Sequence, residues 1–289
     1  MIGINEQPGK TNLAIKTGIL QYAEKLGCVI VTNGLAKAIP LAGKLAAQGG
    51  WLSKLGVGCS KFLGSATKFM AGPLGPVVGE IVGQLVIYTA TNAFSHVAKK
   101  LKLINEDDKV EEIGYRLEEA NRHDDWRRCE DFATFSEYYG YLREQVPNEA
   151  IDQSRLKDEN LYYTAIGGNA LRQGVAEHYK LSIPVDMLVD IGRCRLDGET
   201  LKKILDRFSA ENYKLNDFTD YLQGTLKGGA KTQIECALTD SFKDVYPEWS
   251  EEQVRAKLAE LKTAFRDDDF IVQAAVKEQA ECEDEVENG

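Results

Sequence analysis

Residues 76–95 read PVVGEIVGQLVIYTATNAFS, and only Glu80, Gln84 and Asn92 interrupt a run of apolar and small side chains. Twenty residues of helix span about 30 Å, the thickness of a bilayer core. Pro76 suits the first turn of such a helix, because its missing N–H has no intrahelical partner there. Lys99, Lys100 and Lys102 close the far end, and Gly75, Gly79 and Gly83 form a row at four-residue spacing. Glycines four apart let two helices approach closely, which in lipid is a main source of association. The same row also serves a buried helical hairpin in a soluble core. Both readings stay open on this stretch.

Upstream, residues 34–75 are rich in Gly, Ala, Lys and Leu and carry a heptad: Ser53-Lys54-Leu55, Ser60-Lys61-Phe62 and Thr67-Lys68-Phe69. Seven residues is close to two helical turns, so Lys54, Lys61 and Lys68 line one stripe and Leu55, Phe62 and Phe69 the next. Gly56, Gly58 and Gly64 each weaken that helix by up to ~1 kcal/mol relative to Ala, so it needs a partner surface. On an anionic membrane the lysines would snorkel and the Leu/Phe stripe would enter the interface. Still earlier, Asn12 to Leu26 reads as a helix stopped by Gly27, and Cys28 to Thr32 is the best strand candidate.

Charge divides the chain. Met1 to Ile104 holds eleven Lys, no Arg, no Asp and three Glu, a balance of +8. The remainder holds 24 basic and 42 acidic residues, a balance of −18. Such asymmetry separates a surface-binding part from a solvating one. The expected organisation is a basic Gly/Lys-rich region over 1–104, an acidic helical domain over 105–268 and an acidic, mobile tail over 269–289. The basic part has no Arg and few aromatics between its lysines, which argues against nucleic acid. Six scattered cysteines without a CxxC pair exclude a disulfide scaffold and a zinc ribbon. The first residues show no secretory pattern and Ile2 forbids myristoylation, so the expected location is cytoplasmic, with peripheral membrane attachment.

Downstream the pattern is helical throughout. Asn105-Glu106-Asp107-Asp108 reads as a helix start, continued by Ile113, Leu117 and Ala120. Trp126, Cys129, Phe132, Phe135, Tyr139 and Leu142 read as an aromatic stripe on the next helix, ended by Pro147. Asp158 to Leu181 follows, with His178 turned partly inward. Shorter helices are expected at Val185–Ile191, Glu199–Phe208, Asp217–Leu226 and Lys231–Val245. Ser250 to Phe265 opens on a capping box, Ser250 with Gln253, and carries a Val254, Leu258, Leu261, Phe265 stripe.

Motifs for chemistry are weak. Gly9-Lys10-Thr11 lacks the first glycine of a phosphate loop, since Ile4 stands at that position. His96 followed by His123-Asp124 resembles the HD-type metal hydrolases in residue order, but His123 follows a solvated stretch where that family has an apolar helix. Leu196-Asp197-Gly198-Glu199 lacks the alternating ligands of a calcium loop and reads as a turn with a helix start. That turn, the short helices after it and Trp249-Ser250-Glu251-Glu252 together resemble the TerB-like helical domains of tellurite-resistance proteins over Leu161 to Phe265. The second copy departs from that pattern in lacking the Asp-Gly, and no residue role carries over. No nucleophile elbow is present.

The expected fold is all-α, a glycine-rich apolar helical N-terminal region packed with or tethered to an acidic multi-helix domain. The expected function is non-enzymatic, without cofactor or metal: a membrane-interacting, pore-forming or toxin-like effector. It would act through a basic hairpin (about Gly34 to Leu103), with Lys54, Lys61, Lys68, Leu55, Phe62 and Phe69 on lipid and self-association through Gly75, Gly79 and Gly83. The alternative is a soluble helical adaptor that holds a protein partner.

Overall fold

The computed structural model describes residues 33–47, 49–72 and 75–266, together with 20, 21, 23, 24, 30 and 31. Twelve α-helices and no strand occur among them, so the all-α expectation holds. They are α1 (Gly34–Ala46), α2 (Gly50–Ala66), α3 (Gly75–Lys100), α4 (Val110–Arg122), α5 (Phe135–Gln145), α6 (Gln153–Asp158), α7 (Asn160–Tyr179), α8 (Asp186–Arg193), α9 (Gly198–Ala210), α10 (Leu215–Gln223), α11 (Gly228–Val245) and α12 (Glu251–Arg266). A 3-10 turn over Thr67–Ala71 leads out of α2. Gly9-Lys10-Thr11, the expected 12–26 helix, the 28–32 strand candidate and the 269–289 tail lie wholly or mostly outside the described residues.

Two helices are apolar on every side and sit at the centre, as all-round hydrophobicity requires. Fifteen of the twenty residues of α7 are buried. It packs against α4, α3, α2 and α1. α3 packs on α7, α8, α9 and the 3-10 turn. One buried apolar cluster runs from Leu35 in α1 to Leu261 in α12, and a smaller one gathers Phe69, Val78, Ile81, Val82, Leu85 and Val86. α9 to α12 form a further layer against α3 and α8.

Backbone approach is unusually close where α4 crosses α7. A Cβ at Gly114 would overlap the Tyr163 carbonyl oxygen, and one at Gly167 would overlap that of Val110. The predicted inward stripe of α4 is as expected, with Ile113, Leu117 and Ala120 buried. Its start is not. α4 begins at Val110, because the Asp108 carboxylate accepts the Asn105 N–H (2.7 Å) and the Tyr139 hydroxyl (3.0 Å), which holds 105–108 as a turn.

The aromatic stripe is also split. Cys129–Asp131 form a 3-10 turn, and α5 starts afresh at Phe135 with Thr134 as its cap. Asp158 to Leu181 divides into the end of α6 and α7 at Glu159, and His178 is exposed. The five later helices fall within a few residues of expectation. The capping box is present as read: Ser250 N–H donates to Gln253 Oε1 (2.7 Å) and Gln253 N–H to Ser250 Oγ (3.2 Å).

Candidate functional site

The two stripes of the heptad separate along α2 and the 3-10 turn after it. Leu55, Phe62 and Phe69 are buried, while Lys54, Lys61 and Lys68 are exposed. At 1.5 Å per residue the three lysines spread over roughly 21 Å. Lys37 and Lys44 of α1 are exposed as well, and none of the five forms an ion pair among the described residues. From residue 33 to 72 the sequence contains no Asp or Glu. The α1–α2 hairpin thus presents five exposed lysines over an apolar underside, bordered by Glu130 at Trp51 and by Asp158 and Glu159 in a cleft with Lys37.

That underside is fixed to the core by polar as well as apolar contacts. Asn169 Nδ2 of α7 donates to the Leu55 carbonyl at 3.0 Å, and Asn169 Oδ1 accepts from Arg172 Nε at 2.9 Å. Arg172 also donates to the Ile183 carbonyl, and burial without a carboxylate partner pulls it down to about 10. Gly58 leaves the space that the Asn169 amide fills, and Gly56 lets α2 ride against the Ala46 backbone. Two of the three glycines that weaken α2 as an isolated helix are thus what dock it. Gly64 meets nothing within 4 Å.

The glycine row of α3 faces its own chain. A Cβ at Gly79 would overlap the Phe69 carbonyl oxygen, and one at Gly83 would lie 2.7 Å from that of Ala66. Gly75 meets nothing and is glycine for another reason, its φ of 75°. Among the described residues, α3 is the one helix long and apolar enough to cross a membrane, and 78% of its apolar window is buried inside the protein. Gln84, an interruption in the sequence, is fully buried and pairs with both backbone groups of Val31, accepting at 2.9 Å and donating at 2.8 Å. Among the described residues, the exposed large apolar side chains are Leu20, Val57 and Val77.

The residues of the HD-like order do other things. His96 meets Glu199 at 2.9 Å, His123 stacks on Trp126 with centroids 4.3 Å apart, and Asp124 pairs with Arg128 at 3.1 Å. No group of three or more His, Cys, Asp or Glu able to hold a metal occurs among the described residues. Asp197 caps α9 through Thr200 N–H at 2.8 Å, so Asp197-Gly198-Glu199 is a turn with a helix start. Burial pushes the Cys59 and Cys194 thiols far up and Cys129 up to about 12, the reverse of what a nucleophilic thiolate needs.

A cleft of roughly 510 Å³ opens where Gly49 to Leu52 meet Asn121, Asp124, Arg128 to Asp131 and Tyr138. The Trp51 ring lies edge-on to Tyr138 at 5.8 Å, and the Trp51 backbone N–H donates to Glu130 Oε1 at 2.8 Å. Asn169, Arg172 and Gln84 escape sequence reasoning because their partners are 114, 11 and 53 residues away.

No family model, curated protein or solved structure matches the chain.

Proposed function

We propose that the chain is a non-enzymatic helical protein that adsorbs to anionic membrane surfaces through the lysine face of α1 and α2. The observation that carries this is the combination of five exposed, unpaired lysines with a complete lack of acids over residues 33–72. Each lysine near an anionic leaflet contributes about 1 kcal/mol, so five together are enough for measurable, reversible attachment. The attraction decays within a Debye length of about 8 Å at physiological salt. A protein that carries −10 overall needs its basic residues gathered on one side for such binding to occur.

The reading keeps α3 in the core. Leu55, Phe62 and Phe69 are committed to the interior, and Gly79 and Gly83 already have packing partners within the chain. Pore formation would require all of these contacts to be exchanged for lipid.

Flotation with vesicles containing phosphatidylserine, at low and high salt, tests the proposal together with dye retention. The expected result is salt-sensitive binding without leakage. Equal binding to neutral vesicles would oppose the electrostatic contact, and leakage would restore the inserting hairpin.

The adaptor reading has one specific observation in its favour. Arg127 lies 4.0 Å above the half-buried Phe132 ring, beside the Trp51–Tyr138 cleft, and such aromatic and Arg groupings are common at protein interfaces. Capture of a discrete partner that is lost on Arg127→Ala, with no vesicle binding, would establish it.

A further inference from the structure

The cleft of roughly 510 Å³ at the start of α2 contains none of the five lysines, and its walls carry a chemistry of their own. Two walls are aromatic. The Trp51 and Tyr138 rings meet at 84° with centroids 5.8 Å apart, so they make a corner rather than a stack. Charge on the remaining walls is one-sided: three carboxylates, Asp124, Glu130 and Asp131, stand against the Arg128 guanidinium, a balance of −2. Asp124 already pairs with Arg128 at 3.1 Å. Glu130 and Asp131 each have one oxygen fixed by a backbone N–H, that of Trp51 at 2.8 Å and that of Arg128 at 2.7 Å. The second oxygen of each is left for a ligand. Burial raises the Cys129 thiol and the Glu130 and Glu177 charges raise it further, the mark of a negative field at this wall.

We infer that this cleft binds a small organic cation, an alkylammonium held against the Trp51 and Tyr138 rings with Glu130 and Asp131 as its counter-charges. Aromatic faces attract such cations within about 6 Å of the ring centre, and Trp does so most strongly. The volume falls in the range of roughly 300–1,000 Å³ that small-ligand sites occupy. An anion would meet repulsion here, and the positive end of α2 that could offset it is already capped by the Glu130 carboxylate. A metal ion has no group of three ligating side chains among the described residues. The inference does not depend on the lysine face. A quaternary ammonium exists both as a free molecule and as the headgroup of a phosphatidylcholine bilayer, and the test separates these two sources.

Calorimetric titration of the full chain with choline tests it, beside 3,3-dimethylbutanol, which has the same shape without the charge. The expected result is saturable binding of choline that the alcohol does not reproduce. Trp51→Leu should weaken choline binding about tenfold, and the pair Glu130→Gln/Asp131→Asn by a similar factor. Trp51→Phe keeps an aromatic wall and should retain most of the affinity, which separates loss of the site from loss of the fold. Thermal melts accompany the Glu130 variant because that side chain also caps α2. Equal binding of the alcohol, or no saturable binding of choline, overturns the inference. So does full affinity in a folded Glu130→Gln/Asp131→Asn variant. Phosphatidylcholine vesicles then decide the source: choline binding without vesicle binding assigns the free cation, and vesicle binding that free choline abolishes assigns the headgroup.

Discussion

The Asn169 side-chain amide donates to the Leu55 carbonyl oxygen at 3.0 Å, joining the middle of α2 to the central helix α7 across 114 residues of sequence. Leu55 is the first residue of the buried heptad stripe, and Lys54 is its exposed neighbour. The bond therefore fixes which way the lysines face. Gly58 is the condition for it, because a Cβ there would collide with the amide.

Replacing Asn169 by Ala leaves Arg172 short of one acceptor in a buried site. An unsatisfied buried group costs ~1–3 kcal/mol, more when charged. The expected loss is at least ~2 kcal/mol, read as a lower urea midpoint with an unchanged slope. Gly58→Ala should act in the same direction.

The glycine row separates two mechanisms within one helix. Gly79→Ala forces α3 away from the Phe69 carbonyl, and overpacking of this kind costs ~1–3 kcal/mol. Gly75→Ala meets no atom, and its cost is the left-handed backbone alone, ~1 kcal/mol. Gly75→Asn should recover part of that, since Asn tolerates this conformation. Equal effects of Gly79→Ala and Gly75→Ala in thermal melts would contradict the intramolecular role of the row.

Burial pushes the Asp190 carboxyl up to about 6, although the Thr219 hydroxyl bond at 2.7 Å and the Arg193 charge act the other way. A carboxyl raised on folding holds its proton more tightly in the folded state. Its penalty is absent below the unfolded value of ~3.9 and complete above about 6, on the order of 3 kcal/mol. Asp190→Asn keeps an oxygen for Thr219 and removes the charge. The variant should be more stable than wild type at pH 7, by up to ~3 kcal/mol, with the gain vanishing by pH 4. Urea titrations at four pH values check this, and a gain independent of pH would refute it.

The residues show why some of this was legible in sequence and some was not. A seven-residue period puts Lys54, Lys61 and Lys68 on one stripe and Leu55 and Phe62 on the next, but it does not say whether the second stripe meets lipid or protein; in the structure it is buried in the core. Glycines four apart announce close approach without saying to what; in the structure Gly79 and Gly83 lie against the Phe69 and Ala66 carbonyls. Local signals misled where a side chain was used elsewhere: Asp108 serves Tyr139 and the Asn105 N–H, so the acid run that resembled a helix start is a turn. The break before α5 lay in a single residue, Thr134, whose cap competes with an aromatic pattern that runs straight through it. Gln84 looked like a flaw in a membrane span and is a backbone-pairing side chain in a protein core.

On the proposed reading, the lysine face binds anionic lipid from the outside of an intact fold. Vesicle flotation of Lys54→Gln/Lys61→Gln/Lys68→Gln beside wild type, at equal salt, measures it directly. Exposed substitutions of this kind change stability little, ~0.5 kcal/mol or less each, so the melting temperature serves as the control. With about 1 kcal/mol per lysine, the account predicts a loss of affinity near 100-fold at low salt with an unaltered melt. Wild-type affinity in the triple variant would contradict it.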